Sequence, residues 1–206
     1  MILIRHSISV VLSLSLLGSL TFWLASIDAR ASVPAKAYFA GGCFWCMEEA
    51  FEQVEGVVIV VSGYMGGTVA NPRYEQVSGG STGHAESVEV SYDPAKVSYQ
   101  KLLDAFWRNV DPITPNAQFC DHGNQYRSAV FYATDEEQRL SEESRAAIER
   151  SKRFSTPIAT QLVKASVFYP AEDYHQDYYK KNPLRYKLYK HNCGRAQRLE
   201  LLWGKP

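Results

Sequence analysis

The sequence predicts one α/β or α+β domain, on three observations. Stretches with strand and helix periodicity interleave along the chain, as they do where helices cover a sheet. After a candidate leader of 31 residues, 175 remain, enough for one sizeable core. No internal repeat, low-complexity stretch or linker divides them.

The candidate leader covers residues 1–31. Arg5 and His6 make a short polar start, and residues 7–27 carry no charge. Ala29-Arg30-Ala31 then supplies a small-x-small pattern for cleavage before Ser32. The apolar run is also just long enough to span a bilayer, so an uncleaved anchor is the alternative. Cleavage leaves residues 32–206 with 20 basic and 21 acidic side chains. That near-neutral balance gives no electrostatic case for nucleic acid or acidic partners. The expected location is outside the cytoplasm: periplasmic after cleavage, membrane-anchored without it. Four cysteines are too few for a disulfide scaffold in a domain of this size. Free thiols in an oxidising compartment then point to catalysis.

Residues 36–40 alternate weakly and read as a short strand ending at Gly41-Gly42. Phe44, Met47, Phe51 and Val54 recur at helical spacing, with Gly56 as a natural stop. Residues 57–61 are an unbroken β-branched run, the pattern of a strand buried on both faces. Residues 63–83, rich in Gly, Ser, Thr and Asn, read as a long loop, a type that often carries function. Residues 86–92 alternate cleanly as a strand that Asp93-Pro94 stops. Ser98 can cap a helix whose apolar face is Tyr99, Leu102, Leu103, Phe106 and Trp107. Residues 111–125 read as a second polar loop and 128–132 as a strand. Thr134 and Glu137 form a capping box for a helix reaching about Lys152. Residues 161–167 read as a further strand. From Tyr169 the chain becomes aromatic and basic, and reads as a long C-terminal coil.

The densest chemistry lies in Gly41-Gly42-Cys43-Phe44-Trp45-Cys46, at the start of the first helix. A thiol there sits near the positive end of a helix dipole, which favours the thiolate. Glu48 and Glu49 would oppose that charge. Buried cysteines acting as small hydrophobes are the bland alternative. Glu86 shares a strand face with Val88, Val90 and Tyr92. A carboxyl in such surroundings can stay protonated and act as an acid, unless it turns to solvent at the strand end. Tyr74 and the segment Asp121–Arg127 offer phenol and carboxyl groups to a polar oxygen. His84, His122 and His175 lack the spacing of a metal site with the cysteines, so no metal is expected.

Gly42-Cys43-Phe44-Trp45, Gly83-His84-Ala85-Glu86 and Asp121-His122-Gly123-Asn124-Gln125-Tyr126-Arg127-Ser128 occur in that order. With Asn71-Pro72-Arg73-Tyr74, Tyr169-Pro170-Ala171-Glu172-Asp173-Tyr174-His175-Gln176 and Lys181-Asn182-Pro183, they make the chain resemble the A-type peptide methionine sulfoxide reductases from about Ala37 to Gly204. The resemblance implies a two-layer α/β sandwich on a mixed sheet; a monomer is the default expectation. It implies reduction of methionine S-sulfoxide, free or in proteins, with no bound cofactor and a thioredoxin-like dithiol as reductant. Cys43 would attack the sulfoxide sulfur, and Phe44 and Trp45 would hold the substrate methyl. Glu86, Tyr74 and Tyr126 would bind and protonate the oxygen, with Asp121 in support. For the resolving thiol, Cys46 ranks slightly ahead of Cys193, and Cys120 last. A general thiol–disulfide oxidoreductase using Cys43 and Cys46 is the rival. A binding domain with a static Cys43–Cys46 disulfide is the third reading.

Overall fold

The computed structural model describes residues 33–205, so the expected leader lies outside the described residues. The chain runs β1 (Ala35–Gly41), α1 (Phe44–Glu52), β2 (Val57–Met65), α2 (Tyr74–Ser78), β3 (Ala85–Tyr92), α3 (Tyr99–Arg108), β4 (Ala117–Gln118), β5 (Asp121–His122) and β6 (Ser128–Tyr132). It continues with α4 (Asp135–Arg150), β7 (Gln161–Lys164), β8 (Tyr169–Pro170), α5 (Tyr178–Lys181), α6 (Pro183–Asn192) and α7 (Arg195–Trp203). Six strands form one sheet in the order β7-β6-β1-β3-β2-β8, and β4 with β5 makes a separate small hairpin. The β6–β7 pair is parallel and the other pairs of the large sheet are antiparallel, so the sheet is mixed. The fold is the α/β class the sequence predicts.

Strand alternation sorts the core. Phe39, Val88, Val90 and Val130 join Phe51, Leu102, Leu103 and Phe106 in the main cluster. Ala40, Ala85, Ala129 and Phe131, the alternate residues of the same strands, form a smaller cluster with Met65. Each large apolar side chain fully buried here contributes roughly 1.5–3 kcal/mol. Phe39 sits centrally, stacked 4.8 Å from Phe51 and 5.3 Å from Phe106. Two helix starts follow their caps: Ser98 Oγ accepts from Lys101 N at 3.2 Å, and Thr134 Oγ1 from Glu137 N at 3.1 Å.

The structure corrects four expectations. Val58 and Ile59 are 61% and 53% exposed, so residues 57–61 are not buried on both faces. β8 pairs only at Gly63 and Tyr64, and the β2–β3 register shifts between Val57 and Ile59, which leaves that end of β2 uncovered. The 63–83 loop is shorter than its composition suggests, because β2 runs to Met65 and α2 interrupts the rest. The strand at 161–167 stops at Lys164. The C-terminal coil is helical in α5, α6 and α7: Pro183 occupies the first turn of α6, and α7 buries Leu202 and Trp203. Among the described residues, no helix is long and apolar enough to cross a membrane.

Candidate active site

The site begins where β1 hands over to α1. Gly42 takes φ +80°, and a Cβ there would lie 2.5 Å from the Gln118 side chain. Only glycine allows that turn against so close a neighbour. Cys43 is therefore delivered to the N-cap of α1, where its carbonyl accepts from Cys46 N at 3.1 Å. Cys43, Phe44, Trp45, Tyr74, Glu86, Asp121 and Tyr126 all line one cavity of about 70 Å³, together with Tyr189. Every non-cysteine residue singled out for the reaction, and Cys43, is in that lining. Larger hollows beside α3, α4 and α7 contain no cysteine.

Cys43 and Cys46 are free and buried in one cluster with Tyr178 and Tyr186. Burial pushes the Cys43 thiol well up, and Cys46 and the Glu86 carboxyl add to it. At Cys43, the helix dipole is thus outweighed by desolvation. Cys46 is lowered to about 6, first by the hydrogen bond from Cys43, against burial, and then by Arg195, Tyr186 and Lys190. The two thiols titrate as one unit that gives up its first proton readily and holds the second tightly. Glu48 and Glu49 do not oppose this charge as expected. Glu48 accepts from Ser62 Oγ at 3.1 Å and Asp177 N at 2.9 Å. Glu49 accepts from Tyr186 Oη at 2.6 Å and is paired with Lys190.

Glu86 sits on the helix-covered face of β3, 3% exposed. Burial pushes its carboxyl up to about 8, with Asp121 and Cys46 adding and a hydrogen bond from Phe44 N at 3.0 Å opposing. It is largely protonated at neutral pH. Burial first, and the Glu86 carboxyl second, raise Tyr74 to about 12 and Tyr126 further. Both hydroxyls keep their protons for donation. Burial raises Asp121 as well, and a hydrogen bond from Tyr189 offsets this in part. Trp45 Nε1 donates to His175 Nδ1 at 3.1 Å, and its ring stacks 3.7 Å from Tyr178.

Sequence reading missed the supporting residues. Glu172 accepts from Tyr74 N at 2.9 Å and Tyr64 Oη at 2.8 Å, which fixes where Tyr74 stands. His175 orients Trp45, packs 4.9 Å from Phe44 and is buried. Tyr189 donates to Asp121 and lines the cavity beside Cys43. Their signal was the run of tyrosines and histidine after Tyr169. His84 is structural: its ring accepts from Gly67 N at 3.0 Å and donates to Val69 O at 2.7 Å. Among the described residues, the clusters with metal-ligand geometry, Cys120–Asp121–Cys193 and Glu48–Glu52–Asp177, contain no histidine. The first is spent, because Cys120 and Cys193 form a disulfide with Cα atoms 4.9 Å apart. Cys193, second in rank as resolving thiol, and Cys120, third, are thus bonded to each other.

A family model for peptide methionine sulfoxide reductase matches residues 35–206. The chain belongs to that family. The peptide methionine sulfoxide reductase of Halalkalibacterium halodurans is 49% identical over 170 residues, covering 82% of this chain and 97% of that one. The relative from Listeria innocua is 46% identical, covering 82% and 95%. Among solved structures, reduced Mxr1 from Saccharomyces cerevisiae superposes with a TM-score of 0.68 at 33% identity, covering 73% of this chain and 87% of that one. Methionine sulfoxide reductase A of Corynebacterium diphtheriae gives 0.64 at 34% identity, covering 73% and 76%. Membership makes this chain an oxidoreductase acting on sulfur, with a disulfide formed in the cycle.

Proposed function

We propose that Cys43 carries out the attack on methionine S-sulfoxide and that Cys46 resolves the product. The observation that carries this is the free thiol of Cys43 in one small cavity with a buried, protonated Glu86, and the free thiol of Cys46 one helical turn further on. Sulfoxide sulfur is a poor electrophile until its oxygen is protonated or strongly hydrogen-bonded. Glu86 supplies the proton, and Tyr74 and Tyr126 hold the oxygen. Phe44 and Trp45 receive the methyl group. Cys43 passes its proton to the Cys46 thiolate and forms a bond to sulfur, the oxygen is transferred, methionine leaves, and Cys43 becomes a sulfenic acid. Cys46 attacks that sulfur, water departs, and a Cys43–Cys46 disulfide remains. A thioredoxin-like dithiol returns both to thiols by exchange. No bound cofactor enters this cycle.

The rival disulfide oxidoreductase would need the cysteines but not Glu86 or Tyr74. A turnover assay with the separate S and R sulfoxides and a dithiol decides: the S form is reduced, the R form is not, and Cys43→Ser is inactive. Turnover surviving Cys43→Ser would end this reading. We further place the protein outside the cytoplasm on the strength of Ala29-Arg30-Ala31. N-terminal sequencing of the fractionated protein tests it, with Ser32 as the expected first residue.

A further inference from the structure

Three consecutive residues grip the C-terminal helices, and the grip ends on the catalytic thiols. Phe119 holds Arg195, whose guanidinium carbon lies 4.4 Å from the ring centroid. Cys120 is disulfide-bonded to Cys193. Asp121 accepts a hydrogen bond from Tyr189. Phe119 adopts φ +58°, a conformation that costs a phenylalanine energy and persists only where its surroundings impose it. Cys193 N donates to Tyr189 O at 2.9 Å, so the disulfide and the Tyr189–Asp121 bond are adjacent cross-links between the same two segments.

Both gripped side chains come to the segment that carries the thiols, Arg195 at the Met47 sulfur, 3.2 Å away, and at the Gly41 carbonyl. Tyr189 lines the cavity with Cys43 and packs against the cluster that holds both thiols. Arg195 is 3% exposed, bonds the Asn109 carbonyl and Met47 sulfur, and has no carboxylate in ion-pair range among the described residues. A buried cation without a carboxylate partner favours a nearby thiolate. The geometry points to the Cys120–Cys193 disulfide as a clasp that positions Tyr189 against the catalytic thiol pair and Arg195 beside the turn that carries it. This role rests on the sulfoxide-reductase reading above. The clasp is also reachable: Cys120 is exposed. An external dithiol opens it by donating two electrons to the sulfur–sulfur bond, leaving two thiols and its own disulfide.

The test uses the full chain carrying Cys46→Ser. Cys43 then turns over once, needs no reductant, and the clasp stays closed. Adding Cys120→Ser and Cys193→Ser removes the clasp. Two readouts are compared: methionine formed from methionine S-sulfoxide in that single turnover, and the pH dependence of Cys43 alkylation by iodoacetamide. The clasp-free protein is expected to turn over about tenfold more slowly, with its alkylation profile moved to higher pH. Tyr189→Phe should cost a similar factor with the clasp closed and little more with it gone, since coupled effects do not add. A lower melting temperature with both readouts unchanged overturns the proposal and leaves an ordinary staple. An unchanged first turnover with recycling lost, in the clasp-free chain that keeps Cys46, also overturns it and makes the disulfide an electron relay. If the clasp-free chain fails to fold, Cys120→Ala alone gives the comparison, with alkylation read at the Cys43 peptide by mass spectrometry. If no variant forms methionine but the alkylation profile still moves, the clasp stands and the reductase reading fails.

Discussion

Replacing Glu86 with glutamine removes one proton and little else. The new amide would fill the same volume and still accept from Phe44 N, but it has no acid proton to give. Loss of a positioned general acid costs about 10²- to 10⁴-fold in the chemical step. The carboxyl titrates at about 8 instead of near 4.5, chiefly because it is buried. Above 4.5 the unfolded chain releases this proton while the folded chain holds it, so the folded state binds more protons. Stability therefore falls as pH rises from about 4.5 to about 8, and this contribution is flat outside that window. At about 1.4 kcal/mol per pH unit, the whole effect is on the order of 5 kcal/mol. Two assays follow. Single-turnover rates of the wild type should rise as the thiol pair ionises near 6 and fall above about 8. Glu86→Gln should be slower throughout and lack the upper fall. Urea titrations at about pH 5 and about pH 9, on either side of that window, should show wild-type stability dropping more than that of Glu86→Gln. A variant within about threefold of the wild-type rate, or one that keeps the fall at high pH, would refute the assignment of Glu86 as the acid.

Cys46→Ser should release one methionine per enzyme and then stop, with sulfenic acid at Cys43 detected by mass spectrometry, whereas Cys43→Ser should release none. His175→Phe leaves the Trp45 indole N–H without its acceptor, which costs about 1–2 kcal/mol. It should raise KM for the sulfoxide roughly 5- to 30-fold in steady-state assays while kcat changes less. Glu172→Ala strips the partner from Tyr74 N and Tyr64 Oη at once, and chemical denaturation should show a loss of about 1–3 kcal/mol. Phe39→Ala, at the centre of the aromatic stack, should cost about 3–5 kcal/mol by the same measurement.

Local chemistry was legible in the sequence and distant placement was not. Ser98 and Thr134 act on the first turn of the helices they precede, so their caps could be read directly. Glu86 was readable because strand alternation ties it to Val88 and Val90. The mixed sheet and the gathering of Tyr74, Asp121 and Tyr126 came only through resemblance, since no periodicity states which strands meet. Tyr189 and Arg195 come to the thiol-bearing segment from the opposite end of the chain, by way of helices whose apolar residues face a site as well as the core. Their weak amphipathic pattern therefore looked like coil. Val58 and Ile59 misled for the opposite reason: a β-branched run records strand propensity, and only tertiary cover decides whether it is buried.

The cavity at Cys43 holds about 70 Å³. Liquid water occupies about 30 Å³ per molecule, so this is room for little more than two waters. A methylsulfinyl tip is of that size, and the cavity is open toward the chain that carries it. A methionine S-sulfoxide whose tip protrudes can present it to this cavity. One folded into a core is invisible until its host opens locally. For such sites the pace of repair is set by the host's own opening equilibrium, and a damaged protein that has loosened advertises itself for mending.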